Sequence, residues 1–209
     1  MNVAGLFISF LISFGLLIIA MTVHEFSHGW VAYKLGDSTA KYSGRLTLNP
    51  LAHIDPVWTF LLPLFLFIST AGQFVFGAAK PVPINYLALK NPKRDIIWIG
   101  VSGPLANFIL AFALSIILKF THLSLTINFI IENLIVINVI LGVFNLIPIP
   151  PLDGSRILTG LLPPNLASQY SLIEPYGFII LILLLWLGIF GRIIWPIVNL
   201  VLSLLGIPS

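Results

Sequence analysis

Long uncharged stretches separated by short polar clusters define the predicted elements. Val3–Val23 carries no ionisable side chain, and a membrane crossing needs about 20 apolar residues; a helix is therefore expected here, continuing through His24–His28 to about Lys34. Val57–Ala79 is equally uncharged but is interrupted by Pro63, Gly72 and Gly77. Ile96–Leu118 predicts an unbroken span, and Asn128–Leu146 another, closed by Pro148, Pro150 and Pro151. Pro175–Phe190 follows, and Ile193–Leu205 predicts a shorter sixth helix after Gly191-Arg192. The pattern reads as an all-α polytopic membrane protein. It predicts a bundle of about five to six transmembrane helices with a re-entrant segment and a short membrane-associated β edge. No repeat or low-complexity linker divides it, so residues 1–209 are expected to form a single integral-membrane domain. The first apolar run lacks the basic start of a secretory signal and is expected to be retained.

Composition supports this class. Of 209 residues, 58% are hydrophobic and 8% charged, against about a quarter charged in soluble domains. There are no cysteines, which removes disulfides, thiol nucleophiles and thiolate metal sites. A net charge of +3 without a basic run argues against nucleic acid as a partner.

The basic residues instead report topology. Lys34, Lys41 and Arg45 follow the first span, Lys80, Lys90, Lys93 and Arg94 follow 57–79, and Arg156 follows the span at 128–146. If 57–79 crosses the bilayer, the first two groups fall on opposite faces. If it dips in and returns, all of these share a face, and only Lys119 and Arg192 lie on the other. Cytoplasmic faces concentrate Lys and Arg, and irregular backbone is tolerated at membrane depth where protein or a wet cavity covers it. A re-entrant 57–79 is therefore expected, with the basic face cytoplasmic.

The chemistry concentrates at His24-Glu25-Phe26-Ser27-His28, an H-E-x-x-H run on a predicted helix. Positions i and i+4 share a helix face, so two imidazoles can reach one tetrahedral cation with the glutamate beside it. With four histidines in the chain, chance yields such a run roughly once in a thousand sequences of this kind. Hydrolytic zinc usually has three protein ligands and one open position. Asp153 is the first candidate for the third ligand, in a proline-broken turn before Gly154; its competing use is as a helix N-cap. Glu174 is a second candidate, while Glu132 belongs towards the opposite face. A re-entrant 57–79 also brings Asp153 to the same face as the histidines.

The His24–His28 run, Ser102-Gly103-Pro104-Leu105-Ala106-Asn107 and the Asn145–Gly154 run resemble, in order and placement, the three signature motifs of the site-2 protease family of intramembrane zinc metalloproteases. The Gly44–Pro56 segment resembles one found in compact prokaryotic members without PDZ or CBS domains. The resemblance implies one Zn2+ held by His24, His28 and Asp153, with Glu25 as general base. It places Asn145 near the catalytic centre, where its amide can hold substrate or oxyanion. Asn107 is read as a packing residue or a further substrate contact. It also implies a membrane-protein or peptide substrate, a part in regulated intramembrane proteolysis, and a multi-pass location in a prokaryotic cell membrane with the active site towards the cytoplasm. An extended substrate pairs with an exposed strand edge, expected within Gly72–Val82.

Rival chemistries are weaker. Gly100-Val101-Ser102-Gly103 resembles a rhomboid serine-protease motif, but that nucleophile needs a histidine base. His122, the only later histidine, lies about 30 Å along the helix from Ser102. No paired aspartates of an aspartyl protease occur. His53 and Asp55 form an isolated H-x-D in a loop. The main alternative is a membrane metal-binding carrier or sensor without proteolytic activity.

Overall fold

The computed structural model describes residues 3–69, 77 and 79–207. The first apolar run and the H-E-x-x-H motif form one helix, α1 (Val3–Leu35), of 33 residues. At 1.5 Å per residue it is about 50 Å long, and His24 lies about 32 Å along it, one hydrocarbon thickness from Val3. The helix ends at Gly36, whose φ of +117° suits glycine. Asp37, fully buried, accepts the backbone N–H groups of Thr39 and Asn85 at 2.9 and 2.7 Å. One carboxylate thus ties the exit of α1 to the short helix α2 (Thr39–Tyr42) and to residue 85.

The interrupted apolar stretch starts at Asp55, whose carboxylate accepts the N–H groups of Val57 and Trp58 at 2.9 and 3.0 Å. A wide π-type turn (Pro56–Leu61) leads into α3 (Leu62–Ser69). Phe60 packs on Phe14 and Phe67 on Phe10, with ring centroids 6.0 and 4.4 Å apart, so this helical piece runs antiparallel to α1. From Pro56 to Ser69 it is about 21 Å long, shorter than the hydrocarbon core. The chain returns at Lys80, whose N–H donates to the His53 carbonyl at 2.9 Å. Part of the expected strand edge at 72–82 lies outside the described residues. Where it is described, at Gly77 and 79–82, no strand forms, and no strand occurs elsewhere among the described residues. The physical reason is local: Pro81 and Pro83 lack the N–H groups a ladder needs.

Lys90 N–H approaches the Leu35 carbonyl at 3.4 Å, so the next long helix, α4 (Pro92–Phe120), begins where α1 ended. Helix α4 is the central element, packing against α1, against α5 (Leu125–Asn145) and against α6 (Asp153–Leu161). A proline-rich turn with a cis Pro150–Pro151 bond separates α5 from α6. Beyond lie α7 (Pro164–Ser171), α8 (Gly177–Trp186) and α9 (Ile189–Leu205). Ala111 of α4, Ile135 and Val139 of α5, and Val198 and Leu202 of α9 form the main apolar core.

Among the described residues, four helical stretches are long and apolar enough to cross a membrane: within α1, α4, α5 and the interrupted run Pro164–Trp186. Two shorter apolar helical stretches, Pro56–Phe65 and Gly191–Leu205, accompany them. The predicted span Pro175–Phe190 stops at Gly188, whose φ of +67° breaks the helix before Phe190. The predicted sixth helix begins earlier than expected, at Ile189, and falls short of crossing length.

Candidate metal centre

His24 and His28 stand one turn apart on α1, and Asp153 opens α6. Their donor atoms converge: His24 Nε2 and His28 Nε2 lie 3.1 Å apart, and Asp153 Oδ2 lies 2.9 and 3.0 Å from them. All three residues are buried. Among the described residues, this is the one group of three His, Asp or Glu side chains able to share a cation. Glu174 is exposed and outside it. Asp153 is not the N-cap of α6; Leu152 holds that position.

Hydrogen bonds on the far side of each ring assign the tautomers. His28 Nδ1 donates to the Ile99 carbonyl at 2.7 Å, and His24 Nδ1 donates to Asn107 Oδ1 at 2.6 Å. With both protons on Nδ1, both Nε2 atoms present lone pairs inward. Two imidazole lone pairs and a carboxylate oxygen facing one another at about 3 Å repel unless a cation lies among them. Donors 2.0–2.1 Å from a tetrahedral zinc ion stand about 3.3 Å apart, within a few tenths of an ångström of the separations seen. The donor set therefore fits zinc.

The surroundings keep this position clear. A Cβ on Gly103 of α4 would lie 2.5 Å from His28 Nε2 and 2.6 Å from His24 Nε2. Asp153 Oδ1 accepts from the Arg156 guanidinium at 3.1 Å, leaving Oδ2 turned to the histidines. Gly154 lets the turn fold tightly, since a Cβ there would meet the Leu146 carbonyl at 2.3 Å. Ser102 Oγ lies 3.2 Å from His28 Nδ1, behind the ring, and donates to the Ile99 carbonyl at 2.7 Å.

Glu25 is half-buried, and its Oε2 accepts the Val82 N–H at 2.9 Å. The strap at 80–82 is held by buried Arg45, whose guanidinium donates to the Lys80 and Pro81 carbonyls. Asn107 is fully buried, and its amide nitrogen donates to the Ala20 carbonyl at 3.2 Å and to Asn138 Oδ1 at 2.7 Å. Its polar atoms are thus engaged within the protein. Asn145 is half-buried at the end of α5 and donates to the Leu141 carbonyl at 3.0 Å. His53 is buried with Nε2 against the Thr47 carbonyl at 2.8 Å, a loop contact distant from the histidine pair in role.

Sequence reasoning overlooked Asn138, the contact of Arg156 with Asp153, and the Val82 N–H. A signal existed for two of them. Asn138 is an amide within an otherwise apolar helix, where polar groups seek partners on neighbouring helices, and Arg156 stands at i+3 from Asp153, within pairing distance on a helix. A backbone donor such as Val82 leaves no mark in a sequence.

Comparison with known proteins agrees with this chemistry. Residues 121–185 match the profile of Peptidase family M50. YwhC of Bacillus subtilis (strain 168), which carries a zinc metalloprotease name, is 38% identical over 192 residues, covering 88% of this chain and 84% of its own. Rip2 of Mycolicibacterium smegmatis, similarly named, is 30% identical over 178 residues, covering 80% of this chain and 64% of its own. The zinc metalloprotease MJ0392 of Methanocaldococcus jannaschii is 29% identical over 71% of this chain, which spans 34% of that longer protein. No solved structure matches. The extent of the likeness to YwhC, together with the M50 match, makes this chain a member of the M50, or site-2 protease, family of metallopeptidases.

Proposed function

We propose that the chain is an intramembrane protease that hydrolyses peptide bonds within or near transmembrane segments, using one Zn2+ held by His24, His28 and Asp153. The observation that carries this reading is the convergence of three lone-pair donors beside a glutamate on the same helix. When bound, the ion supplies Lewis acidity to the scissile carbonyl and acidifies a water at the open position. The remaining steps belong to the chain. Glu25 accepts the proton of the attacking water and delivers it to the leaving amine as the C–N bond breaks. The Val82 N–H steers the Glu25 carboxylate, and Arg156 engages Asp153 Oδ1, leaving Oδ2 as the oxygen that would hold the ion. Asn145 is proposed to contact the substrate backbone. Asn107, with its polar atoms engaged, is reassigned from substrate contact to positioning.

The family, the long apolar helices and the exposed apolar faces fit an integral membrane protein acting on protein substrates. The finer reading has 57–79 re-entering the bilayer, supported by the Lys80–His53 hydrogen bond that brings both ends of the stretch together. It also has the basic end, and hence the site, facing the cytoplasm of a prokaryotic cell, and residues 1–209 acting as one domain.

The test uses purified protein in proteoliposomes with a membrane-protein reporter. Glu25→Gln is expected to retain zinc and to lose cleavage by at least about two orders of magnitude. Cleavage at the wild-type rate would remove Glu25 from the chemistry, whereas a wild type that binds zinc but cleaves no reporter would favour the carrier or sensor reading.

A further inference from the structure

Asn138 touches neither ligand nor open position, yet its contacts govern which nitrogen of His24 is bare. It lies mid-way along α5, fully buried, and its amide nitrogen donates to the Leu134 carbonyl of its own helix at 2.8 Å. That bond fixes the amide's orientation, so Oδ1 is turned towards α4 and accepts from Asn107 Nδ2 at 2.7 Å. Asn107 Nδ2 also donates to the Ala20 carbonyl of α1 at 3.2 Å. With its nitrogen committed to two acceptors, Asn107 must present Oδ1 to His24 Nδ1, at 2.6 Å. A flipped Asn107 would set its oxygen against two other oxygens and its NH2 against His24 Nδ1. His24 would then carry its proton on Nε2, pointing at Asp153 Oδ2 and filling the place of the cation.

We infer that Asn138 is a positioning residue for the metal centre: through Asn107 it locks His24 in the Nδ1–H tautomer, so that three helices jointly prepare one ligand atom. The inference rests on the proposed zinc site and extends it to a residue two hydrogen bonds from the ion. The amide order matters, because each link passes a donor–acceptor direction onward and one reversal reaches the ligand nitrogen.

The experiment reads zinc and tautomer rather than proteolysis. In apo wild-type protein with 15N-labelled histidine, His24 is expected to show a protonated Nδ1 and bare Nε2. Asn138→Leu removes the acceptor facing Asn107; zinc affinity, measured by competition with a chelator, is expected to fall about 10- to 100-fold, the usual effect of losing an outer-shell partner. The Nε2–H form of His24 should appear alongside. Asn138→Asp, neutral when buried, offers one oxygen to Asn107 and an O–H to Leu134, and is expected to restore affinity to within a few-fold of wild type. Wild-type affinity and an unchanged tautomer in Asn138→Leu would overturn the inference. If Asn138→Leu does not fold, the wild-type spectrum still decides: an Nε2–H His24 in the apo protein overturns the inference without any variant. A wild type that binds no zinc while His24 remains Nδ1–H would sink the metal-site reading and leave the relay standing.

Discussion

At the residue scale, the centre depends as much on what Gly103 lacks as on what the ligands offer. The two Nε2 atoms sit where a Cβ on α4 would be, at 2.5–2.6 Å, well inside contact distance. The neighbours of such a Cβ are ring atoms of ligands tied down at Nδ1 by Ile99 and Asn107, so neither ring can swing aside cheaply. Gly103→Ala is therefore expected to weaken zinc binding tenfold or more, the size of an overpacking penalty of about 1–3 kcal/mol. Metal content after dialysis against a weak chelator measures this, and undiminished zinc would mean that the rings move freely. Asp153→Ala should likewise release zinc, because it deletes the only anionic donor in the cluster, whereas Glu174→Ala should not. The reverse result would return the third-ligand role to Glu174.

At the element scale, α1, α4 and α5 were legible from the sequence to within a few residues at most ends because each is an apolar run bounded by charge, proline or a capping residue. The C-terminal third was not. Between Pro175 and Leu205 hydropathy is nearly continuous, and the break falls at Gly188, where the backbone turns left-handed, rather than at the more conspicuous Gly191-Arg192. Only tertiary packing selects between two such glycines. The H-E-x-x-H motif and Asp153 were legible because few ionisable groups occur in the apolar runs, but the pairing of Asn138 with Asn107 needed the register of α4 on α5. Capping supplies a test on the stretch at 56–69. The Asp55 carboxyl lies below its ordinary pKa because it accepts the N–H groups of Trp58 and Val57. A depressed folded-state pKa stabilises above the unfolded value, about 3.9, and the contribution is lost as pH falls through the folded one. Asp55→Ala should therefore lower the thermal unfolding midpoint at pH 7, and the gap from wild type should shrink at pH 3. An equal gap at both pH values would show that the charged carboxylate is not what caps this helix.

At the scale of the whole molecule, topology and chemistry are bound together. Both ends of the stretch from Leu35 to Pro92 lie at one end of the bundle, as the Lys90–Leu35 and Asp37–Asn85 contacts require. Lys34, Lys41, Lys90, Lys93 and Arg94 are exposed there, and none joins an ion pair among the described residues. The nearby acids Asp37 and Asp95 are fewer than these five cations, and both are buried, with carboxylates engaged by backbone N–H groups. This end therefore carries a surplus of positive charge, while Lys119 ends α4 at its opposite terminus. Because α5 runs back towards the basic end, Asp153 reaches the histidines only if 57–79 makes no net crossing. Single cysteines at positions 41 and 90 are thus expected to react with an impermeant thiol reagent from the same, cytoplasmic, side of oriented vesicles, and one at 119 from the other. The native chain has no cysteine to confuse the reading. Labelling of 41 and 90 from opposite sides would require an extra crossing between α1 and α4, and an α5 entering from the wrong face could not deliver Asp153 to α1.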